Sequence, residues 1–243
     1  MISVCIATYN GEKYIKEQIQ SILNQIDYND EIIISDDHST DSTISIIKEL
    51  KDERIKIVYN TKDKGYTSNF ENALNYVKGD YIFLSDQDDI WLKNKVEYCM
   101  KYLQKYDLVV SDAKIVDSDG KETCDSYYKN RKVYKTLLGN LYKFGYLGCC
   151  MCFKRKVMEQ ALPFPPNRVF CTHDNWLFIL AKTFFKVKIS NEKLIKYRRH
   201  NNNTSSGGFK NTTSLIFKLS YRIYLIIYLI KCVFRNHPSN EIK

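Results

Sequence analysis

Three carboxylates within four positions, Asp86, Asp88 and Asp89, follow the apolar segment 81–85. Carboxylates this close together repel one another unless a cation lies among them. Mg²⁺ and Mn²⁺ bind through oxygen ligands and often share a site with substrate phosphates. The segment therefore predicts a strand that ends in a metal site for a phosphate-bearing substrate. Taken alone, it is equally compatible with a turn or a helix cap that binds no metal.

A second acidic pair, Asp36 and Asp37, follows the apolar segment 31–35. In an open α/β sheet the carboxyl ends of neighbouring strands line one crevice, so the two acidic groups are expected to meet there. One group would hold a base or ribose, and the other a metal on a diphosphate. The sequence contains neither a glycine-rich dinucleotide motif nor a P-loop motif. A nucleotidyltransferase would need a basic, glycine-rich loop near the first strand, and residues 8–12 do not supply one.

Strand and helix patterns alternate through the first half of the chain, which predicts a doubly wound, mostly parallel α/β sheet flanked by helices. Short apolar runs predict strands at 2–8, 31–35, 55–59, 81–85 and 107–111. Amphipathic segments predict helices at 12–25, 69–77 and 92–105, and another that ends near residue 51.

The pattern loosens after residue 112. The polar, tyrosine-rich residues 113–135 predict a long loop or flap. Beyond them, the patterns predict strands at 146–153 and 194–199, helices at 154–161 and 173–185, and a loop at 201–208. We expect these later elements to form a lobe added to the sheet rather than an independent domain.

The C-terminal quarter is strongly basic. Residues 182–243 contain 13 Lys and Arg but 2 Asp and Glu, whereas residues 1–181 contain 24 and 26. A predicted helix at 214–235 has an apolar centre at 223–230, which is too short to span a bilayer. Its basic flanks suit a helix that lies on an anionic membrane surface. Packing against the protein or against a second subunit is the alternative.

The eight cysteines show no disulfide pattern, which indicates a reducing compartment. The spacing of Cys149 and Cys152 lacks a second cysteine pair or a close histidine, so a zinc site is disfavoured. The first residues read as a strand rather than as a signal peptide. We therefore expect a cytoplasmic protein.

The net charge of +9 also raises nucleic-acid binding as an interpretation. That function needs a basic face with accessible aromatic side chains. In this sequence the aromatic residues cluster in apolar segments, and the strand-end acids would repel phosphate unless a metal intervened. No nucleic-acid partner is therefore expected.

Four groups of residues together resemble the family 2 glycosyltransferases, which have the GT-A fold. They are Thr-Tyr-Asn-Gly at 8–11, Ser-Asp-Asp-His-Ser-Thr-Asp-Ser-Thr at 35–43, the set Asn60, Lys64-Gly65-Tyr66 and Asn69-Phe70, and the acidic segment 79–91. The resemblance is strong over 1–112 and weaker over 146–208. The form Asp-Gln-Asp-Asp resembles a branch that contains many rhamnosyl- and other hexosyltransferases of bacterial surface polysaccharides.

The resemblance assigns nucleotide binding to the strand ends. Tyr9 would stack near the base, Asp37 would accept a hydrogen bond from a pyrimidine ring, and Asp36 would support that loop. The implied nucleotide-binding residues are Thr8, Tyr9, Asp36, Asp37, Gly65 and Asp86.

The resemblance also implies a Mn²⁺ or Mg²⁺ site at Asp86, Asp88 and His200, with Asp88 as the foremost direct ligand. The metal would neutralise the diphosphate leaving group. Asp89 would orient the sugar or a metal-bound water, and Trp91 would lie at the donor or acceptor sugar.

Asp174 is implied as the base that deprotonates the acceptor hydroxyl in an inverting transfer. It opens a predicted helix, so a helix cap is the alternative. His173 and Gly148 would lie at the donor or acceptor sugar. Arg198 and Arg199 would contact the diphosphate, or else form a solvated basic turn.

These observations predict a metal-dependent glycosyltransferase that moves a hexose or deoxyhexose from a UDP- or dTDP-sugar to a lipid-linked or polysaccharide acceptor. Residues 1–112 would form the nucleotide-sugar-binding half, 113–208 the acceptor-binding lobe, and 209–243 a basic amphipathic helical tail. The protein is expected to be peripheral at the inner face of the plasma membrane. A non-catalytic nucleotide- or nucleic-acid-binding protein at the membrane is the alternative. The donor nucleotide, the sugar, the acceptor, the linkage and the oligomeric state stay open.

Overall fold

One mixed β-sheet forms the centre of the molecule. The structure, a computed structural model, describes residues 1–200, residue 203 and residues 214–235. The strands are β1 Ile2–Thr8, β2 Glu31–Asp36, β3 Ile55–Tyr59, β4 Tyr81–Asp86, β5 Ile90–Trp91, β6 Leu108–Val116, β7 Glu122–Cys124, β8 Met151–Lys154 and β9 Val187–Arg198. They pair in the order β3-β2-β1-β4-β8-β6-β9-β5, with β7 on β6.

The helices cover this sheet and connect its strands. They are α1 Ile15–Leu23, α2 Thr43–Glu49, α3 Tyr66–Leu74, α4 Lys95–Leu103, α5 Tyr127–Asn130, α6 Leu137–Tyr142, α7 Arg155–Ala161, α8 His173–Phe184 and α9 Leu215–Arg235. Helix α3 begins at Tyr66 rather than at residue 69, because Gly65 adopts a φ of 128° and turns the chain into the helix.

Strands β1 to β4 form a parallel block that brings the acid-bearing strand ends level with one another. Most apolar side chains of β1, β2 and β4 are buried, as strands covered on both faces require, whereas the edge strand β3 is partly exposed. In the register, Thr8 pairs with Asp36 and Ala7 pairs with Asp86. The carboxyl ends of β1, β2 and β4 therefore lie at one edge of the sheet, where the crevice was predicted.

The second half of the sheet mixes strand directions. Strand β8 runs antiparallel to both β4 and β6, whereas β6 and β9 are parallel. The predicted parallel order thus holds for the first block, and the later elements extend the same sheet. The division at residue 112 falls within β6, so the two predicted halves share one strand.

The prediction of a continuous loop at 113–135 is wrong. Strand β6 continues to Val116, and β7 and α5 follow it. Ala113, Ile115 and Val116 are buried against the sheet, so their packing overrides the polar composition around them. The strand predicted at 146–153 is a 3-10 turn at Gly148–Cys150 followed by β8, and β9 begins at Val187 rather than at residue 194.

The predicted tail helix is present as α9, and one of its faces packs on the protein. Leu225, Leu229 and Cys232 are buried, and the Tyr221 hydroxyl donates to the carbonyl of Leu141 at 2.9 Å. Among the described helices, none combines the length and the apolar content that a membrane crossing needs. The predicted loop at 201–208 lies outside the described residues except for residue 203.

Candidate active site

A cavity of about 500 Å³ lies at the carboxyl edge of the parallel strands, a size typical of small-molecule sites. One part of its lining, here named the strand wall, consists of Thr8, Tyr9, Asp37, Asp86 and Asp88. Another part, the helix wall, consists of Leu147, Gly148, Thr172, His173 and Asp174. Gly65 and His200 also line the cavity, so most of the predicted site residues meet there.

The two aspartates at the end of β2 have different contacts. Asp37 lines the cavity, and its carboxylate accepts hydrogen bonds from the Gly65 amide and from Asn60 Nδ2, both at 2.8 Å. Asp36 is fully buried and accepts a hydrogen bond from the Ser39 amide at 2.8 Å. Asp36 therefore fixes the loop, and Asp37 presents its carboxylate to the cavity.

Gln87, the residue between the acids, fixes the loop after β1. Its Oε1 accepts a hydrogen bond from the Tyr9 amide at 2.9 Å, and its Nε2 donates to the Tyr9 carbonyl at 3.0 Å. Gly11 leaves room for this contact, since a Cβ there would overlap Gln87 Oε1. This role was not predicted from the sequence, and the position of Gln87 inside Asp-Gln-Asp-Asp was the one available signal.

The acids at the end of β4 have raised pKa values. Removal from water is the largest cause for both Asp86 and Asp89, and the charge of Asp88 is the next. The pKa of Asp86 rises to about 7, although its side chain keeps part of its exposure at the cavity. Asp89 Oδ2 is buried and has no hydrogen-bond partner among the described residues. A divalent cation among these carboxylates fits both observations.

A cysteine and a lysine lie beneath the acids. Ligand atoms of Asp86, Asp89 and Cys149 lie within 4.8 Å of one another. Burial raises the pKa of the Cys149 thiol, which disfavours the thiolate form that binds metals. Oxygen ligands therefore remain the better fit for Mg²⁺ or Mn²⁺. The buried Lys95 ammonium donates to the Cys149 carbonyl at 2.7 Å.

Asp88 meets residues that follow the last strand. His200 Nε2 lies 2.8 Å from Asp88 Oδ2, and Asn203 Nδ2 donates to the same oxygen at 3.0 Å. The fold thus joins a carboxylate and an imidazole that are distant in the chain. Both are groups that Mn²⁺ accepts as ligands.

Asp174 lies in the first turn of α8, on the helix wall. Its Oδ1 accepts hydrogen bonds from Thr172 Oγ1 at 2.5 Å and from the Asn175 amide at 2.8 Å. Thr172 makes no side-chain capping bond to the helix, so its hydroxyl orients Asp174 instead. The positive end of the helix dipole stabilises a carboxylate at this position. Such a carboxylate can take a proton from a hydroxyl bound in the cavity.

His173 is buried next to Asp174, and neither of its ring nitrogens has a hydrogen-bond partner within the described part of the chain. Its ring stacks on Phe70 with centroids 4.2 Å apart. Burial lowers the pKa of His173, so the imidazole is neutral near pH 7. A Cβ at Gly148 would overlap His173 Nε2. Gly148 and His173 therefore interlock on the helix wall.

Arg198 does not face the cavity. Its side chain is 3% exposed, and its guanidinium donates to the Glu17 carboxylate at 2.7 Å and to the Ser118 carbonyl at 3.0 Å. The side chain is absent from the cavity lining, so the structure does not place it at the predicted diphosphate contact. Arg198 instead fixes the acid motif, since its Nε donates to the Asp88 carbonyl and its amide donates to Asp89 Oδ1.

Trp91 and Arg199 also lie outside the cavity lining. Trp91 is 3% exposed and packs with Phe83 and Lys95, which contradicts its predicted sugar contact. Arg199 packs on Tyr197, with its guanidinium carbon 5.8 Å from the ring centroid. Asp36 and Asp89 support the site from behind the lining.

Several lining residues were not predicted as site residues. Some belong to the motifs that carried the family resemblance without an assigned role, which was the available signal. The unpredicted lining residues include Lys64, Tyr66, Asn69, Phe70, Leu147, Thr172, Tyr197 and Asn203.

Known sequences place the chain in one family. The profile of the family described as Glycosyl transferase family 2 matches residues 3–162, which is more than half of the chain. The dTDP-rhamnosyl transferase RfbG of Shigella flexneri is 31% identical over 214 residues, which cover 82% of this chain and 72% of that protein. The UDP-Glc:alpha-D-GlcNAc-diphosphoundecaprenol beta-1,3-glucosyltransferase WfgD of Escherichia coli is 28% identical over 214 residues, which cover 86% and 81%.

Solved structures share the fold at low identity. TarS of S. aureus in complex with UDP-GlcNAc superposes with a TM-score of 0.68 at 17% identity, over 100% of this chain and 76% of that chain. Glucosyl-3-phosphoglycerate synthase from Mycobacterium tuberculosis, in complex with Mn²⁺, UDP and glucosyl-3-phosphoglycerate, superposes with a TM-score of 0.56 at 18% identity, over 99% and 81%. As its motifs predicted, the chain is a glycosyltransferase that belongs to family 2 and has the GT-A fold.

Proposed function

We propose that this glycosyltransferase moves a hexose or deoxyhexose, such as rhamnose, from a UDP- or dTDP-sugar to a lipid-linked or polysaccharide acceptor in bacterial surface-glycan biosynthesis. The transfer depends on a divalent metal and inverts the anomeric carbon. One observation carries the proposal: Asp37, Asp88 and Asp174 line the same cavity. A carboxylate for the nucleobase, a carboxylate for the metal and a carboxylate that accepts the acceptor's proton thereby share one site.

The strand wall binds the nucleotide in this proposal. Asp37 accepts a hydrogen bond from the pyrimidine, and Tyr9, which is 49% exposed, stacks near the base. Thr8 and Gly65 complete the lining on this side. The names of RfbG and WfgD specify dTDP and UDP donors, and both are pyrimidine nucleotides.

Asp86, Asp88 and His200 are the residues that would hold the metal. The raised pKa of Asp86, the unpartnered Asp89 oxygen and the contact between Asp88 and His200 support this assignment. When bound, Mn²⁺ or Mg²⁺ supplies positive charge that neutralises the diphosphate leaving group. Asp89 lies behind the lining, where its carboxylate would orient the sugar or a water of the metal.

Asp174 acts as the base on the other side of the reaction. Its carboxylate takes the proton of the acceptor hydroxyl. The acceptor oxygen then bonds to the anomeric carbon while the bond from that carbon to the diphosphate oxygen breaks, and the nucleoside diphosphate leaves. Attack from the face opposite the leaving group gives the inverted product. His173, neutral near pH 7, hydrogen-bonds a sugar hydroxyl beside this reaction.

Residues 1–112 then act as the nucleotide-sugar-binding half and 113–208 as the acceptor-binding lobe. Thr172, His173 and Asp174 on the second half complete a cavity that the first half begins. The two halves share the strand β6, so their relative position is fixed by hydrogen bonds of one sheet.

Helix α9 places the enzyme on the inner membrane face in this proposal. Its outward residues Leu219, Ile223 and Ile230 are 59%, 49% and 50% exposed. The stretch Leu215–Arg235 contains basic residues and no acidic residue, which suits an anionic surface. The neighbouring α6 adds Tyr142, whose ring lies 5.4 Å from the Arg222 guanidinium and is 65% exposed. WfgD is named for an acceptor linked to diphosphoundecaprenol, a membrane lipid.

The transfer itself is tested with labelled UDP- and dTDP-sugars and a lipid-diphosphate-linked sugar as acceptor, with and without Mn²⁺. We expect one donor to give a labelled lipid product with Mn²⁺ and no product after chelation. The Asp174→Asn variant is expected to bind the donor nucleotide and to make no product. Undiminished product from this variant would contradict the assigned base.

Membrane binding is tested by flotation with vesicles that do or do not contain anionic lipid. The wild type is expected to float with anionic vesicles, and an Ile223→Glu/Ile230→Glu variant is expected to stay behind with its nucleotide binding intact. An equal distribution of both proteins would contradict a lipid role of α9. A dimer that this variant dissociates would assign the face to a second subunit.

A further inference from the structure

Glu71 is a buried carboxylate that lies outside the cavity lining and joins two loops. It sits on α3 and is 1% exposed. Lys62 Nζ lies 3.0 Å from its Oε2, the Arg168 guanidinium donates to the same oxygen, and the Phe164 amide donates to Oε1 at 2.8 Å. A carboxylate is buried at this depth only when cations and hydrogen bonds compensate its lost hydration. Its position therefore depends on both loops at once.

Lys62 belongs to the loop that shapes the strand wall. The Lys62 amide donates to Asn60 Oδ1 at 3.1 Å, and Asn60 Nδ2 donates to Asp37 at 2.8 Å. The same loop ends at Gly65, whose amide donates to Asp37 at 2.8 Å. A shift of Lys62 is thereby transmitted to Asp37, whose carboxylate binds the nucleobase in the proposed function.

Phe164 and Arg168 belong to the segment that leads into the helix wall. This segment runs directly to Thr172, which orients Asp174 through a 2.5 Å hydrogen bond. Arg168 is further fixed by a bond from its guanidinium to the Pro165 carbonyl at 3.1 Å. Residues 164–170 do not line the cavity, so a nucleotide bound there does not touch them directly.

We propose that Glu71 is a positioning residue that couples the two walls: nucleotide binding on the strand wall orders residues 164–170 and thereby sets Asp174. This inference rests on the proposed nucleotide site. Its physical basis is one carboxylate shared by two cations, because ordering Lys62 fixes the carboxylate that Arg168 and Phe164 also use. The donor would thus prepare the acceptor side before the acceptor binds.

Hydrogen exchange of the backbone amides tests this coupling without knowledge of the acceptor. The probe is whichever of UDP, dTDP or GDP binds with Mn²⁺ in calorimetry, used at saturation. In the wild type we expect exchange to slow in 60–65 and also in 164–170, by about threefold to tenfold, the effect of securing about one hydrogen bond. In Glu71→Gln, saturated with the same nucleotide, we expect slowing in 60–65 and none in 164–170.

Two further variants separate coupling from a loss of fold. Glu49→Gln alters an exposed carboxylate on α2 and is expected to behave as the wild type. Arg168→Met keeps Glu71 charged and paired with Lys62, and it is expected to reduce the response in 164–170. Unchanged exchange across β1 and α1 would show that each variant is folded.

Two results would overturn the inference. One is a nucleotide that binds the wild type yet leaves exchange in 164–170 unchanged. The other is an equal response of 164–170 in the wild type and in Glu71→Gln. If none of the three nucleotides binds the wild type, the proposed function itself fails and the coupling fails with it, and calorimetry shows this before any exchange is measured.

Discussion

The two walls of the cavity are built in different ways. At the strand wall, polar side chains have hydrogen-bond partners: Asp37 accepts from Asn60 Nδ2 and the Gly65 amide, and Gln87 bonds both backbone groups of Tyr9. On the helix wall, His173 keeps both ring nitrogens unpaired in the part of the chain that the structure describes.

The difference separates a pre-formed surface from one that a ligand completes. A buried polar group without a partner costs about 1–3 kcal/mol, so a bound hydroxyl that satisfies it gains that amount. The strand wall suits the nucleotide, which is constant for one enzyme. The helix wall suits sugars and acceptors, which differ between relatives. On the strand side, the described residues without such a partner include Asn69 at its Oδ1 and Asp89 at its Oδ2, and Asp89 lies where the metal is proposed.

The largest expected effect comes from Asp88→Asn. Loss of the carboxylate that contacts His200 should lower turnover by about a thousandfold or more, since metal stabilisation is worth several kcal/mol. Nucleotide affinity measured by calorimetry should no longer respond to Mn²⁺. Asp80→Asn, which alters a side chain that is 71% exposed, serves as the control. Wild-type turnover in the Asp88 variant would refute the metal assignment.

The Asp174→Asn substitution changes the helix wall, and we expect it to affect the transfer step rather than nucleotide binding. Removal of the base is expected to lower kcat by about 10²- to 10⁴-fold. Nucleotide affinity should stay at the wild-type value, because Asp174 contacts Thr172 and Asn175 rather than the strand wall. A parallel loss of nucleotide binding would instead assign Asp174 to the nucleotide site or to the fold.

Two glycine substitutions sharpen the comparison with smaller effects. Gly148→Ala would push on His173, and Gly11→Ala would push on Gln87. Overpacking of this kind costs about 1–3 kcal/mol, so each substitution should lower its rate or affinity about tenfold. We expect Gly148→Ala to reduce kcat with nucleotide affinity intact, and Gly11→Ala to weaken nucleotide binding. The reverse pattern would break the division between the walls.

The smallest effect concerns the pH dependence of stability. The pKa of His173 is lowered by burial, so the unfolded chain binds its proton near pH 6.5 and the folded protein binds it only at a lower pH. Stability from this residue is therefore present above that pH and is lost as the pH falls below it, by at most about 1.4 kcal/mol per pH unit. Urea unfolding of the wild type and of His173→Gln at pH 5.5, 6.5 and 7.5 measures the difference. Parallel pH profiles would contradict a buried neutral imidazole.

The strand wall was largely predictable from the sequence. Each of its acids follows directly on a short apolar strand, and parallel pairing makes strand order and register decide where the strand ends lie. Asp37, Asp86 and Asp88 were thereby placed together before any coordinates. Gln87 was missed because its partner is the backbone of Tyr9, and a backbone group is present at every position whatever the residue type.

The helix wall was predictable only through the family resemblance. Gly148 and Asp174 meet because β8 runs antiparallel beside β4 and the 3-10 turn before β8 packs against α8, and no local pattern fixes that arrangement. Arg198 is a residue that the sequence placed in the site and the fold placed elsewhere. Its type indicated a phosphate ligand, yet Glu17, which is 181 positions away, already binds it.

Calorimetric titration of the wild type with UDP, dTDP and GDP, each with and without Mn²⁺, tests the central claim most directly. We predict that one pyrimidine nucleotide binds with Mn²⁺, that chelation removes most of this affinity, and that Asp174→Asn binds equally well. A folded protein that binds none of the three, or that binds them equally without metal, would contradict the account.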